Sequence, residues 1–156
     1  MQNTGYAGWW LPVGLIAVLA GCEPMPSAGG QSGDCSNQQA CEAAAFMVAS
    51  MQPLVGMDAG MGVTVGTIQA VGPTIVMDMR MPETAAELGV GLDPRFDALM
   101  QEFMADSVAL AACTPDPAGM TAEPFLDLGG RFRMRMISSD GMVVADSTIT
   151  SCTGIT

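Results

Sequence analysis

The chain has 156 residues, with 16 acidic side chains against 5 arginines and a formal net charge of −11; lysine and histidine are absent. So acidic a balance speaks against nucleic acid, which recruits proteins by having its phosphates neutralised, and against adhesion to anionic lipid by charge. Without histidine or lysine, Ser-His-Asp, Cys-His and Schiff-base chemistry are excluded.

From Gly5 to Gly21 the chain is uncharged and mostly apolar, with Trp9, Trp10, Leu11, Leu15, Ile16, Val18 and Leu19. The run is slightly short for a membrane span. It ends in small residues, the pattern of an export signal, though the first ten residues lack the usual Lys or Arg. Leu19-Ala20-Gly21-Cys22 resembles the lipobox of bacterial lipoproteins. That resemblance implies a signal peptide over residues 1–21, cleavage before Cys22, a diacylglycerol on the Cys22 sulfur and a palmitate-like acyl chain on the new N-terminus. Two or more chains anchor stably where one holds only marginally. The membrane would then be met through the lipid alone, with the protein in the cell envelope and facing the periplasm. Glu23, not Asp, follows Cys22, so the inner-membrane retention signal of some bacteria is missing and the outer membrane is favoured. The plainer alternative is a short anchor helix left uncut.

With Cys22 lipidated, Cys35, Cys41, Cys113 and Cys152 remain, an even set suited to two disulfides in an oxidising compartment. Three pairings are open. Cys113–Cys152, tying a helix end to the C-terminus, and Cys35–Cys41, closing a local loop, are favoured. No C-x-x-C occurs, so neither a zinc ribbon nor a thioredoxin-like site is indicated. Residues 22–34, the lipidated cysteine and "EPMPSAGGQSGD", read as a Pro/Gly/Ser-rich tether spanning on the order of 20 Å. Residues 35–156 read as a single domain.

In that domain Ser36 and Gln39 have capping-box spacing. The helix that follows places Ala40, Ala44, Met47, Val48 and Met51 on one face, and Pro53 and Gly56 end it. "GMDAGMG" reads as a loop. Two alternating runs follow, residues 63–71 and 74–81, with Gly72-Pro73 as the turn. In the second run Ile75, Met77, Met79 and Met81 face inward, and Thr74, Val76, Asp78 and Arg80 outward. Asp93-Pro94 opens a second helix, in which Phe96, Leu99, Met100, Phe103, Met104, Ser107, Val108 and Ala111 recur at helical spacing up to Cys113. A short turn around 124–128 leads to strands at 131–138 and 142–150, joined through Asp140-Gly141, a strong hairpin signal. The fold class predicted is α+β in the order helix-hairpin-helix-hairpin (αββαββ). Two helices lie on one face of a four-stranded, mainly antiparallel sheet.

Cys113 closing a helix, then "PFLDLGGRFRMRMISSDG", then a terminal cysteine resembles a loose group of small bacterial envelope proteins. In that group an LLxxG-type segment enters an aromatic-rich strand and a D-x-D-G-like turn follows; here Met134 and Met136 stand where tyrosines are usual. The resemblance spans residues 42–152. It implies an α+β fold, is in keeping with a Cys113–Cys152 bond, and carries no activity.

Three residue sets could carry chemistry. Met77, Met79 and Met81 align three thioethers, which suit Cu(I); against this, methionine fills irregular cores, and all three lie on the inward face. Arg131, Arg133 and Arg135 share an outward face and could bind a carboxylate or phosphate bidentately, or pair across strands with Asp146 or Asp78. Glu83/Glu87, Asp93/Asp97 and Glu102/Asp106 pair acids four apart, but on a polar face such pairs lack the cleft that general acid–base work needs. No G-x-S-x-G, P-loop or dinucleotide fingerprint occurs. The expectation is therefore a lipid-anchored envelope module that is not an enzyme, needs no cofactor, and meets an envelope protein or cell-wall component. The alternative is a periplasmic lipoprotein that binds Cu(I) through its methionines.

Overall fold

The computed structural model describes residues 35–115 and 121–153. The expected signal peptide over 1–21, the expected lipidation site Cys22 and the expected tether over 22–34 lie outside the described residues. Helix α1 spans Gln38–Met51. Its cap is Asn37, not Ser36 as the capping-box spacing suggested. The Asn37 carboxamide accepts from the Ala40 amide and also donates to the Leu128 carbonyl. That second bond ties the helix start to a distant segment, which a capping box within α1 does not provide. Ala40 and Ala44 are fully buried, and Met47, Val48 and Met51 pack beside them. Pro53 limits continuation to a 3-10 turn, Gln52–Leu54.

Among the described residues the sheet has five strands, not four: β1 Asp58–Gly60, β2 Val63–Val71, β3 Thr74–Arg80, β4 Arg131–Ile137 and β5 Val143–Ile149, in that spatial order. The additional strand β1 lies in the segment read as a loop; its three residues are all exposed, so it carries no burial pattern. The β2–β3 hairpin turns on Gly72, whose positive φ of 57° opens the two-residue connection. β1–β2, β2–β3 and β4–β5 are antiparallel, whereas β3 and β4 run parallel, from Thr74 beside Arg131 to Arg80 beside Ile137. The sheet is thus mixed. The cause is the crossover: helix α2, Pro94–Cys113, carries the chain back along the sheet, so β4 starts at the same end as β3.

The Asp93 carboxylate accepts from the Arg95 amide at 2.8 Å to start α2, with Pro94 at the first helical position. A third short helix, α3 (Glu123–Asp127), occupies the predicted turn and buries Phe125 and Leu126. Phe125 meets Phe132 edge-on at 6.0 Å, and a Cβ at Gly130 would overlap its ring, so only glycine fits. Disulfides join Cys113 to Cys152, with Cα atoms 5.6 Å apart, and Cys35 to Cys41 at 6.0 Å.

Helix α1 covers β2 and β3, while α2 covers β5 and β4. The core lies between these helices and one face of the sheet, around Ile75, Met77, Phe125 and Leu126 at one end and Met104, Val108, Met136 and Ala145 at the other. Met79 and Met134 pack against both groups. At the β5 edge, Gln101 of α2 accepts from the Asp146 amide at 3.3 Å, so a helix side chain occupies part of the strand's open side. Among the described residues no helix is long and apolar enough to cross a membrane.

Candidate functional site

Cross-strand register aligns Thr67, Asp78, Arg135 and Asp146 in one row on the sheet face away from the helices. Asp78 is only 7% exposed. It accepts two bonds from Arg135, at 2.7 and 3.0 Å, and one from the Thr67 hydroxyl at 2.7 Å. Arg133 grips Asp146 in a second bidentate pair. These hydrogen bonds, with the charge behind them, hold the Asp146 carboxyl below its ordinary range and raise the Arg133 guanidinium. Two of the three outward arginines are therefore engaged inside the molecule, and Arg131 forms no ion pair among the described residues.

The methionines lie on the helix side. Met77 is buried, while Met79 and Met81 are half-buried and pack against core residues. Met81 also lines a cleft described below. Among the described residues no cluster of His, Cys, Asp or Glu is arranged to hold a metal. Of the paired acids, Glu83 lies at the rim of the cleft described below, and the others line neither of the two clefts. Asp93 caps α2, Asp97 accepts from the Gly91 amide at 3.2 Å, and Glu102 and Asp106 are exposed on α2. Glu87 is held below its ordinary range by the Thr84 amide and hydroxyl. Asp140 is lowered by the Ser138 hydroxyl, a bond within the β4–β5 turn, and by the Ala85 amide, which fastens that turn to the segment after β3.

Helix α2 departs from its sequence pattern in one respect. Met104, Val108 and Ala112 are its buried residues, whereas Leu99 is 62% and Phe103 55% exposed. Its apolar stripe is wider than β4 and β5 can cover. The surplus side forms one wall of a cleft of about 520 Å³, lined by Leu99, Phe103 and Met100 from α2. Met81 and Met136 belong to its sheet side, and Met61 and Glu83 to its rim. Met61 is 93% exposed and sits in the β1–β2 turn at a φ of 53°, a left-handed conformation that costs an L-residue with a Cβ roughly 1–2 kcal/mol. A second apolar cleft, about 410 Å³, lies between the two long helices and is lined by residues such as Met47 and Met51 of α1 and Val108 of α2.

Charge is divided between the two sides of the domain. Over α1 and residues 82–113 there are Glu42, Glu83, Glu87, Asp93, Asp97, Glu102 and Asp106 against Arg95 alone. The remaining four arginines, Arg80, Arg131, Arg133 and Arg135, belong to strands β3 and β4. The α2 cleft is lined by one charged residue, Glu83, and the segment 82–113 that carries its apolar surplus has six acids against Arg95 alone. Sequence periodicity marked Leu99 and Phe103 as apolar-face residues. Met61 carried no signal, since an isolated methionine between two glycines reads only as a loop.

The fold and clefts together define a single-sheet α+β domain with apolar contact surface on its helix side and an ion-paired opposite face. Its fold is shared with EpsS, the pilotin from the Vibrio vulnificus type 2 secretion system. The superposition covers 76% of this chain and 94% of that one, with a TM-score of 0.53 and 17% sequence identity. A protein from Pseudomonas aeruginosa described as secreted superposes over 76% of this chain and 95% of its own, with a TM-score of 0.54 and 8% identity. At these identities the common property is the fold. No family model and no curated protein sequence matches the chain.

Proposed function

We propose that this chain is a non-catalytic, lipid-anchored module of the bacterial cell envelope that holds a cationic amphipathic helix of another envelope protein in the cleft beside α2. The lipobox-like Leu19–Cys22 supports the anchor, and Glu23 in place of Asp after it supports an outer-membrane address. The fold shared with a type 2 secretion pilotin supports an accessory role in an envelope assembly. The docking part rests on one observation: Met61, Leu99 and Phe103 stand exposed around one cleft, in the acidic half of the molecule. An amphipathic helix with Leu on one face and Lys or Arg on the other matches both the apolar wall and the charge.

Covering the exposed fractions of these three side chains amounts to about two fully buried residues, worth about 4 kcal/mol before ordering costs. Such a contact alone is weak. Anchoring of both partners on one membrane raises their effective concentration and makes a weak contact sufficient.

The test uses the full chain in phosphatidylcholine nanodiscs, with empty discs as blank. A Leu/Lys amphipathic peptide is expected to bind at least tenfold more tightly than its Leu/Glu counterpart. Phe103→Ser should abolish that preference, and Arg131→Ser on the opposite face should leave it unchanged. Equal binding of both peptides, or self-association that buries the cleft between two copies, would overturn the reading. Separately, Cys22→Ser is expected to remove palmitate labelling and release the protein from the membrane fraction.

A further inference from the structure

Four of the nine residues lining the α2 cleft are methionines: Met61, Met81, Met100 and Met136. Met61 is almost fully exposed, Met81 and Met100 are half-buried, and Met136 is buried beneath them. The four described cysteines are all consumed in disulfides. Thioethers are therefore the readily oxidised sulfur among the described residues, and three of them, Met61 at the rim, Met81 on the sheet side and Met100 on the α2 wall, line the space a ligand would fill.

We infer that this cleft is an oxidation-sensitive docking site, closed by conversion of Met61, Met81 and Met100 to their sulfoxides. The inference rests on the docking reading above. A hydroperoxide supplies the oxidant. The thioether lone pair attacks the outer peroxide oxygen, an S–O bond forms, the O–O bond breaks, and water leaves when the oxidant is hydrogen peroxide. Sulfur is oxidised by two electrons and the peroxide is reduced by two. The product is polar and chiral where the wall was apolar and pliant. A bound apolar helix would then desolvate an S=O group with no donor to meet it, which is costly. Leucine in these positions would give an equally apolar wall without this chemistry. Methionine here thus combines an adaptable contact surface with a reversible chemical handle, since enzymes that reduce methionine sulfoxide restore the thioether.

The experiment uses the full chain in phosphatidylcholine nanodiscs and the Leu/Lys peptide as probe. Peptide binding is measured before hydrogen peroxide, after it, and after treatment with methionine sulfoxide reductases. Mass spectrometry of proteolytic fragments locates the added oxygens. The expected result is early oxidation of Met61, together with Met57 and Met142 outside the cleft, then of Met81 and Met100, with a loss of affinity of about tenfold or more that follows the cleft methionines, and recovery on reduction. The Met61→Leu/Met81→Leu/Met100→Leu variant should bind the peptide and keep its affinity through peroxide. Unchanged affinity in oxidised wild type, or an equal loss in the leucine variant, would overturn the inference while leaving docking intact. Failure of the untreated protein to bind would overturn the docking reading, and this inference with it.

Discussion

Removing the Cys113–Cys152 bridge is expected to cost far more than removing Cys35–Cys41. The first spans 39 residues and the second only 6. With loop entropy lost from the unfolded chain growing as the logarithm of loop length, the long bridge is worth about 4 kcal/mol and the short one about 2 kcal/mol. The long loop encloses α3, β4 and β5, so the bond also limits how far two of the five strands can separate from the end of α2. Urea unfolding of Cys113→Ala/Cys152→Ala and Cys35→Ala/Cys41→Ala should show this as two different losses of unfolding free energy, with the greater rise in slope for the long-bridge variant, whose unfolded chain expands more. Equal losses, or a larger loss from the short bridge, would refute the assignment of the long bridge as the main covalent brace.

Three further outcomes follow from particular residues. Gly130→Ala places a methyl against the Phe125 ring and is expected to lower stability by about 1–3 kcal/mol, measurable as a reduced denaturation midpoint. Met61→Asn should raise stability by about 1 kcal/mol, because Asn tolerates the left-handed conformation, yet should weaken the Leu/Lys peptide; a change of the same sign in both would separate Met61 from docking. Asp146 is lowered in the native state, so its contribution is complete above its unfolded value of 3.8 and is lost as pH falls through the lower native value. Acid titration of stability should therefore fall less steeply below about pH 4 in Asp146→Asn than in the natural chain.

Much of the fold could be read locally. The alternating runs placed β2 at 63–71 and β3 at 74–81, although the register of β2 shifts between Val65 and Thr67; Asp93-Pro94 marked the start of α2, and Asp140-Gly141 the last hairpin. The same alternation put Arg131, Arg133 and Arg135 on one face, with Asp78 and Asp146 as possible partners. Local pattern could not reveal that β3 and β4 are parallel neighbours, because that depends on where the crossover helix returns the chain. Nor could it reveal β1, whose Asp-Ala-Gly sequence has neither burial nor β-branching. Asn37, which caps α1, also bonds Leu128, 91 residues away, a contact that no local spacing announces. The site was the least legible part. Helical spacing showed that Leu99 and Phe103 belong to an apolar stripe, but how much of that stripe the sheet covers is a property of packing.

The docking of a cationic helix beside α2 is tested most directly by methyl NMR of methionine-labelled full chain in nanodiscs, titrated with the Leu/Lys peptide. The ε-methyl signals of Met61, Met81 and Met100 should move together and saturate at one concentration, while those of Met47 and Met51, which line the other cleft, stay in place. Movement confined to Met47 and Met51, or no movement at all, would contradict it.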